Sequence, residues 1–261
     1  MAINPEPLKG RVALVAGASS GMGAAIATAL AEAGAKVYAG ARRESVIAEA
    51  VGPELVDNGA VVPLALDITE ADEVDAVLGR LAADDPIDLL VCSAGINIRN
   101  RRFWELDEAS LLQVLQTNLI GAFRLLSGAR QMLERDGGDA VFISSVSAHW
   151  PDHAGAAYAA SKAGLNALAA GAARDIHGSG VRVTTVNPGI VDTPLLDKRP
   201  VVPPAEVREW CTKPEDVAAA VLAAVSLPQR AHITDMTIVS TRLQSMGNTQ
   251  QATPELAEPR N

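Results

Sequence analysis

Tyr158 precedes Lys162 by four residues and follows Ser145 by thirteen. With only two tyrosines and five lysines (Lys9, Lys36, Lys162, Lys198, Lys213) in 261 residues, that pairing calls for a reason. The run 154–174 (AGAAYAASKAGLNALAAGAAR) is dominated by helix formers, and on a helix residues i and i+4 share one face with neighbouring Cβ atoms. The two side chains are therefore expected to touch. A cation held beside a phenol favours phenolate, drawing its pKa down from an ordinary value of about 10 toward the range where protons move near neutrality. On that ground Tyr158 is a candidate acid/base. The spacing alone also fits an ordinary helix carrying a surface Tyr and a surface Lys.

A second chemistry-bearing segment, AGASSGMG from Ala16 to Gly23, follows an apolar run and opens an alanine-rich helix. Gly17, Gly21 and Gly23 allow a tight turn and close approach of backbone to a pyrophosphate. Ser19, Ser20 and Met22 bring N–H groups and the positive end of the helix dipole to the same place. The second apolar run ends near Gly40-Ala41-Arg42-Arg43, where a dinucleotide fold reads the ribose 2′-position. An acid there would accept from a 2′-hydroxyl and repel a phosphate; Arg42 and Arg43 do the opposite, which predicts NADP(H) over NAD(H). Asp67, with Ile68 beside it, is placed where it accepts from an adenine amino group; before Thr69 it could equally cap the next helix.

The elements that must position these groups are visible in the hydropathy. Runs at 12–15, 36–39, 61–66, 89–92, 140–144, 181–186 and 237–240 alternate with helical segments. Continuous apolar strands alternating with helices imply α/β architecture: a doubly wound, parallel, seven-stranded sheet with helices on both faces. No linker divides the chain, so residues 1–243 are read as one domain. The Pro-bearing stretch 194–214 is read as an irregular lid. Residues 244–261 lose apolar density and are expected to be loose or docked on a neighbouring subunit.

The composition is 48% hydrophobic and 20% charged, with a net charge of −9 and a pI near 5.0, which disfavours nucleic acid and anionic membrane surfaces and suits a small-molecule substrate. No run approaches the ~20 apolar residues of a membrane span, and the N-terminus is unlike a signal peptide. Cys92 and Cys211 form no disulfide framework and no metal-ligand pattern, so a cytoplasmic location is expected. His149 and His153 stand at i and i+4, but Pro151 argues against a helix there and no third ligand is evident, so no metal is expected.

Taken together, the Gly17/Gly21/Gly23 turn, Asp67, Ser93-Ala94-Gly95, Asn118 in TNLIGAF, Ser145 in ISSVS, Tyr158 with Lys162, and Asn187-Pro188-Gly189 with Thr193 resemble the short-chain dehydrogenase/reductase family over about residues 10–243. The resemblance implies a Rossmann-like fold that carries hydride between NADP(H) and a carbonyl/alcohol pair, of the carbonyl reductase or 3-oxoacyl reductase kind. It implies that Tyr158 protonates the carbonyl oxygen, Ser145 hydrogen-bonds it, and Lys162 holds the nicotinamide ribose and lowers the tyrosine pKa. Asn118 is implied to kink its helix and place a relay water. Ser93, Ala94, Gly95, Pro188, Gly189, Ile190 and Thr193 fall at cofactor positions, Ile190 and Thr193 against the carboxamide. The family usually carries Thr at Ala16 and Asn-Asn at Cys92-Ser93, so both sides of one contact are altered together, and Cys92 is read as a buried filler.

In the family the stretch 195–212 forms the substrate lid, so Leu195 is placed at the substrate. The segment INIRNRRFW carries Arg99, Arg101 and Arg102, and Arg99 is a candidate for meeting an acidic substrate, against a bland reading as a solvated loop. Trp150 and His153 are expected at the pocket entrance. The smooth, alanine-rich run 154–174 is read as half of a two-fold interface in a homodimer or homotetramer. Competing readings are a non-catalytic NADP-binding sensor and a non-redox lyase on the same scaffold. The first need not keep Ser, Tyr, Lys and Asn together, and the second usually gives up the glycine turn.

Overall fold

Seven aliphatic runs become seven strands in the computed structural model, which describes residues 6–150, 152–244, 253 and 255–256. They are β1 (Val12–Ala16), β2 (Lys36–Ala41), β3 (Val61–Ala65), β4 (Leu89–Cys92), β5 (Asp139–Ile143), β6 (Arg182–Pro188) and β7 (Asp235–Ile238). All pair in parallel in one sheet of order β3-β2-β1-β4-β5-β6-β7. Every residue of β4, β5 and β6 is buried, which is why β4 and β5 after Asp139 read as continuous apolar runs instead of alternating.

The helices are α1 (Gly21–Glu32), α2 (Ile47–Val51), α3 (Pro53–Asp57), α4 (Ala71–Asp84), α5 (Glu108–Leu115), α6 (Gly121–Leu133), α7 (Ala156–Ile176), α8 (Ala205–Arg208) and α9 (Pro214–Val225). One core layer packs Ile26 and Leu30 of α1 and Val217 and Val221 of α9 against the sheet; the other packs Val74 and Leu78 of α4, Leu125 and Leu133 of α6, and Leu165 of α7. The result is the expected Rossmann-like, doubly wound fold. Among the described residues no helix is long and apolar enough to cross a membrane.

Boundaries move by one or two residues for local reasons. Helix α7 begins at Ala156, not at residue 154, because Gly155 sits at φ +95° and breaks the turn ahead of it. Strand β7 begins two residues earlier than the apolar pattern suggests. Its first residue, Asp235, is pinned by Thr185 Oγ1 and Asn187 Nδ2, both at 2.7 Å. The expectations for Pro151 and for most of the 244–261 tail lie outside the described residues.

The chain leaves β3 at one edge and re-enters beside β1 as β4, a reversal of strand order at which a crevice opens at the carboxyl ends of the strands. At the opposite ends, buried Arg182 clasps Asp139 through Nε (2.7 Å) and Nη2 (3.0 Å), and Arg11 reaches the same carboxylate at 3.0 Å. These groups fasten the starts of β5 and β6 to β1 and leave the crevice to the chemistry.

Candidate active site

The crevice holds two adjoining clefts. One is a long groove lined by Gly17, Ser19, Ser20, Gly21, Met22 and Gly23, by Arg42 and Arg43, by Asp67 and Ile68, and by Ser93, Ala94 and Gly95. Glycine is required at its floor: a Cβ on Gly17, whose φ is +94°, would lie 2.5 Å from Ala94 N, so the turn after β1 rests directly on the loop after β4. Ser20 precedes α1 in an extended conformation without capping it through its side chain, which leaves the first-turn N–H groups to a ligand. Arg42 and Arg43 stand exposed just past the end of β2. Asp67 Oδ1 accepts from Thr69 N (2.9 Å) and Thr69 Oγ1 (2.7 Å), closing a turn; α4 is preceded by Glu70, so Asp67 does not cap it. Ala16 and Cys92 are register partners on β1 and β4, so the two departures from the family pattern do meet.

The second cleft is lined by Ser145, Tyr158, Pro188, Gly189, Ile190 and Leu195, among others. Met22, Asn97, Thr193 and Leu195 line both clefts and join them. Ser145 follows β5, and its Oγ accepts from Ser147 N at 3.1 Å. Ser147 Oγ donates to Asp152 Oδ2 at 2.7 Å and lies 3.1 Å from Ser145 Oγ, so an aspartate, a serine and Ser145 form one chain toward Tyr158.

Lys162 and Asn118 lie behind the cleft walls. Lys162 is buried, with Nζ donating to Ile143 O at 2.8 Å and sitting 5.7 Å from the centre of the Tyr158 ring. Its neighbourhood with tyrosine is as the helix spacing predicts, although the ammonium meets the ring's side of the phenol. Asn118 sits in a π-helical turn, Gln116–Ile120, between α5 and α6. Its amide is held by Ile96 N (2.8 Å), Ile96 O (3.0 Å) and Ser161 Oγ (3.0 Å). A Cβ on Gly95 would lie 3.5 Å from both Asn118 Oδ1 and Lys162 Nζ, so Gly95 separates these two from the groove.

The expected fall in the tyrosine pKa is not found in the chain without ligand. Burial pushes Tyr158 up to about 12, against the lowering influence of Ser145 as a hydrogen-bond partner and of the Arg101 charge, and with Asp152 also raising it. Burial pushes Lys162 down to about 8. Desolvation outweighs the Ser145 hydrogen bond and the Arg101 charge, which helix spacing alone could not register. Burial likewise raises the Cys92 thiol, which packs in the core as a filler.

Three substrate assignments do not match the cleft. Arg99 is exposed, His153 is exposed, and neither they nor Trp150 line either cleft; Trp150 instead pairs with His149, ring centres 5.5 Å apart. The arginine of that loop that lines the second cleft is Arg101, joined by Arg199 from the stretch 194–214. Loop direction, not residue type, decided this, and no periodic pattern encodes it. Ile190 is also engaged: its N–H donates to Gln244 Oε1 at 2.6 Å and its carbonyl accepts from Thr212 N at 3.1 Å. In the bridge between Val191 and Thr212, the peptide groups of Val191 itself point away from Thr212.

The lid is more ordered than an irregular stretch. Leu196, Val207 and Cys211 pack with Ile190 and Leu243 in a small core, with Leu256 of the tail against it. Asp192 ties Arg208 (2.7 Å) and Lys213 (2.9 Å) across it. Gln244 and Asp192 were not singled out from sequence, because neither lies in a periodic element.

Fold and site together define an oxidoreductase built on a Rossmann-like sheet. The family described as short chain dehydrogenase matches residues 11–201, and the chain belongs to it. The 3-oxoacyl-[acyl-carrier-protein] reductase of Vibrio cholerae is 36% identical, covering 88% of this chain and 96% of that protein. The alcohol dehydrogenase of the archaeon Thermococcus sibiricus, solved with 5-hydroxy-NADP, superposes with a TM-score of 0.79 at 29% identity, covering 88% of this chain and 97% of that one. A metagenomic short-chain oxidoreductase solved with NADP gives 0.75 at 31% identity, covering 89% and 97%.

Proposed function

We propose that the chain is an NADP(H)-dependent oxidoreductase interconverting a ketone or aldehyde with an alcohol, of the carbonyl reductase or 3-oxoacyl reductase kind, with Tyr158 as general acid/base. The observation that carries this reading is the meeting of Tyr158 and Ser145 in a cleft continuous with a groove suited to a dinucleotide. The groove fits the cofactor on three counts: a floor that admits only glycine, uncapped N–H groups at α1, and Arg42 and Arg43 where a 2′-phosphate would lie. The two solved relatives named above hold NADP-type nucleotides.

The bound nicotinamide supplies or accepts the hydride. Tyr158, kept protonated at neutral pH by its buried setting, gives its proton to the carbonyl oxygen in the reducing direction. Ser145 turns its hydroxyl proton from Ser147 to the same oxygen, a rotation about one C–O bond. Lys162 holds a positive charge behind the tyrosine, and it is the side chain that would hold the cofactor ribose. Both amide protons of the Asn118 side chain are taken and its Oδ1 accepts from Ile96 N, so the relay water would fall to the main chain of its π turn, where the regular helical bonding is interrupted. Val191 offers the backbone contact to the carboxamide, since both peptide groups of Ile190 are taken.

Replacing Tyr158 with Phe is expected to leave NADPH affinity unchanged in a fluorescence titration while lowering kcat by roughly 10²–10⁴-fold on any accepted carbonyl. Retained turnover would refute the role of Tyr158. Wild-type efficiency with NADH equal to or above that with NADPH would refute the cofactor preference. NADPH binding with no turnover across a carbonyl panel would favour a sensor.

A further inference from the structure

We infer that Ser147, braced by Asp152, is a positioning residue that draws the Ser145 hydroxyl proton away from Tyr158, so that the tyrosine rests as the proton donor until a carbonyl arrives. This rests on the reading of Tyr158 as the acid of the proposed reaction. Ser147 is 3% exposed and lines neither cleft, so it meets Ser145 and Asp152 and not the substrate. Its influence on the chemistry has to pass through Ser145.

The direction of the chain follows from its protons. An ionised carboxylate only accepts, however many donors it meets, so across the 2.7 Å between Ser147 Oγ and Asp152 Oδ2 the proton belongs to Ser147. A serine hydroxyl has one proton to give. With its own committed to Asp152, Ser147 Oγ accepts across the 3.1 Å to Ser145 Oγ, and the Ser145 proton lies on that line. Ser147 N–H, donating to Ser145 Oγ at 3.1 Å, fills one of that oxygen's two lone pairs. The other faces the Tyr158 hydroxyl, for which Ser145 is a hydrogen-bond partner.

This arrangement favours phenol over phenolate. A Ser145 proton turned to Tyr158 would stabilise the phenolate, whereas a Tyr158 proton turned to Ser145 stabilises the neutral acid. The two exclude each other, since one proton occupies the line between two oxygens. By holding the Ser145 proton, Ser147 withholds the first and keeps the second. The charged groups around Tyr158 are Lys162 on its own helix, Arg101 from the loop after β4, Arg199 from the stretch 194–214 and Asp152 ahead of α7. Removing the Ser147 hydroxyl leaves all four in place, so a change in proton transfer traces to the hydrogen bond. A purely structural role is the alternative: Asp152 Oδ1 also accepts from Ala154 N at 2.8 Å, tying the turn after β5 to the start of α7. That role predicts lower stability and an unmoved pH profile.

The test follows kcat/KM for carbonyl reduction against pH at saturating NADPH in wild type, Ser147→Ala and Ser147→Thr. This parameter reports the site before substrate enters, and on the alkaline side it falls as Tyr158 loses its proton. In Ser147→Ala the Ser145 proton turns to Tyr158, so the fall is expected about one pH unit lower. Ser147→Thr keeps a hydroxyl and is expected to restore the wild-type profile. A fall that stays in place or moves to higher pH in Ser147→Ala, or that Ser147→Thr does not restore, would overturn the inference while leaving the role of Tyr158 intact. If no carbonyl is reduced, the reading of the reaction fails, and tyrosinate absorbance after a stopped-flow jump to alkaline pH still decides the inference. Subtracting the signal of the same protein bearing Tyr158→Phe removes the contribution of Tyr38, the other tyrosine. Phenolate that forms at lower pH in Ser147→Ala supports the inference; coincident curves overturn it. Should Ser147→Ala not fold, Asp152→Asn replaces it: its amide would donate to Ser147 and turn that serine's proton onto Ser145. The fall is then expected to move to lower pH as well, and a stationary one overturns the inference.

Discussion

Lys162 is a lysine kept where its charge is poorly solvated, and this has a measurable pH signature. Its folded pKa of about 8 lies below the ordinary 10.5, so below pH 8 both folded and unfolded chains carry the proton and the folded one bears the full burial penalty. Between pH 8 and 10.5 the unfolded chain binds more protons than the folded, so stability rises with pH in that window. Tyr158 acts oppositely: raised from 10.0 to about 12, it makes stability fall once pH passes about 10. From pH 7.5 to 10, the wild type without cofactor is expected to gain about 2 kcal/mol that Lys162→Met does not. Urea unfolding at several pH values checks this, and parallel profiles for the two proteins would show that Lys162 titrates normally. The Tyr158/Lys162 pair was legible in the sequence because i and i+4 is a local relation. The direction of the tyrosine shift was not, because burial is conferred by β5, the lid and the loop after β4, all distant along the chain. That Arg101 lines the second cleft while Arg99 does not was hidden for the same reason: their neighbours in sequence are alike and only the course of the loop separates them.

The strands and helices were legible almost throughout, since two-sided burial leaves an unbroken aliphatic run and helical burial leaves a 3.6-residue period. What the hydropathy could not show is what fixes their ends. Arg182 and Asp139 lie 43 positions apart and meet only because β5 and β6 are neighbours. Breaking such a buried pair strands a charge, so Asp139→Ala is expected to lower unfolding stability by about 3–5 kcal/mol. The site lies past the opposite ends of the strands, so kcat of the protein that remains folded should stay within twofold of wild type. Chemical denaturation and steady-state rates measured below the unfolding transition check both halves. The π turn at Gln116–Ile120 is a further element hidden from periodicity: QTNLI continues the helical pattern of α5 into α6, and only the buried amide of Asn118, drawn toward Ile96 and Ser161, widens it.

On the whole molecule, α7 shows an exposed stripe of Ala156, Ala160, Ala163, Ala167 and Ala170, while Leu112 of α5 and Phe123 of α6 are also exposed. A smooth helix face with large apolar neighbours on adjacent helices suits a second copy of the chain. We propose a two-fold dimer or tetramer through it, and Ala167→Arg is expected to lower the mass seen by light scattering after gel filtration to that of a smaller species. A wild-type monomer, or an unchanged mass in the variant, would place the interface elsewhere or remove it. The sheet order has a consequence in time as well as in space. Strand β1 is made first and lies inside the sheet, yet every later strand joins an edge that is still open: β2 and β3 on one side, then β4, β5, β6 and β7 in turn on the other. No strand has to be threaded between two that are already paired. A chain emerging from its N-terminus thus lays down the glycine turn and Arg42 before Asn118, Ser145, Tyr158 and Lys162 have been made. The half that grips a nucleotide is in place before the half that uses it.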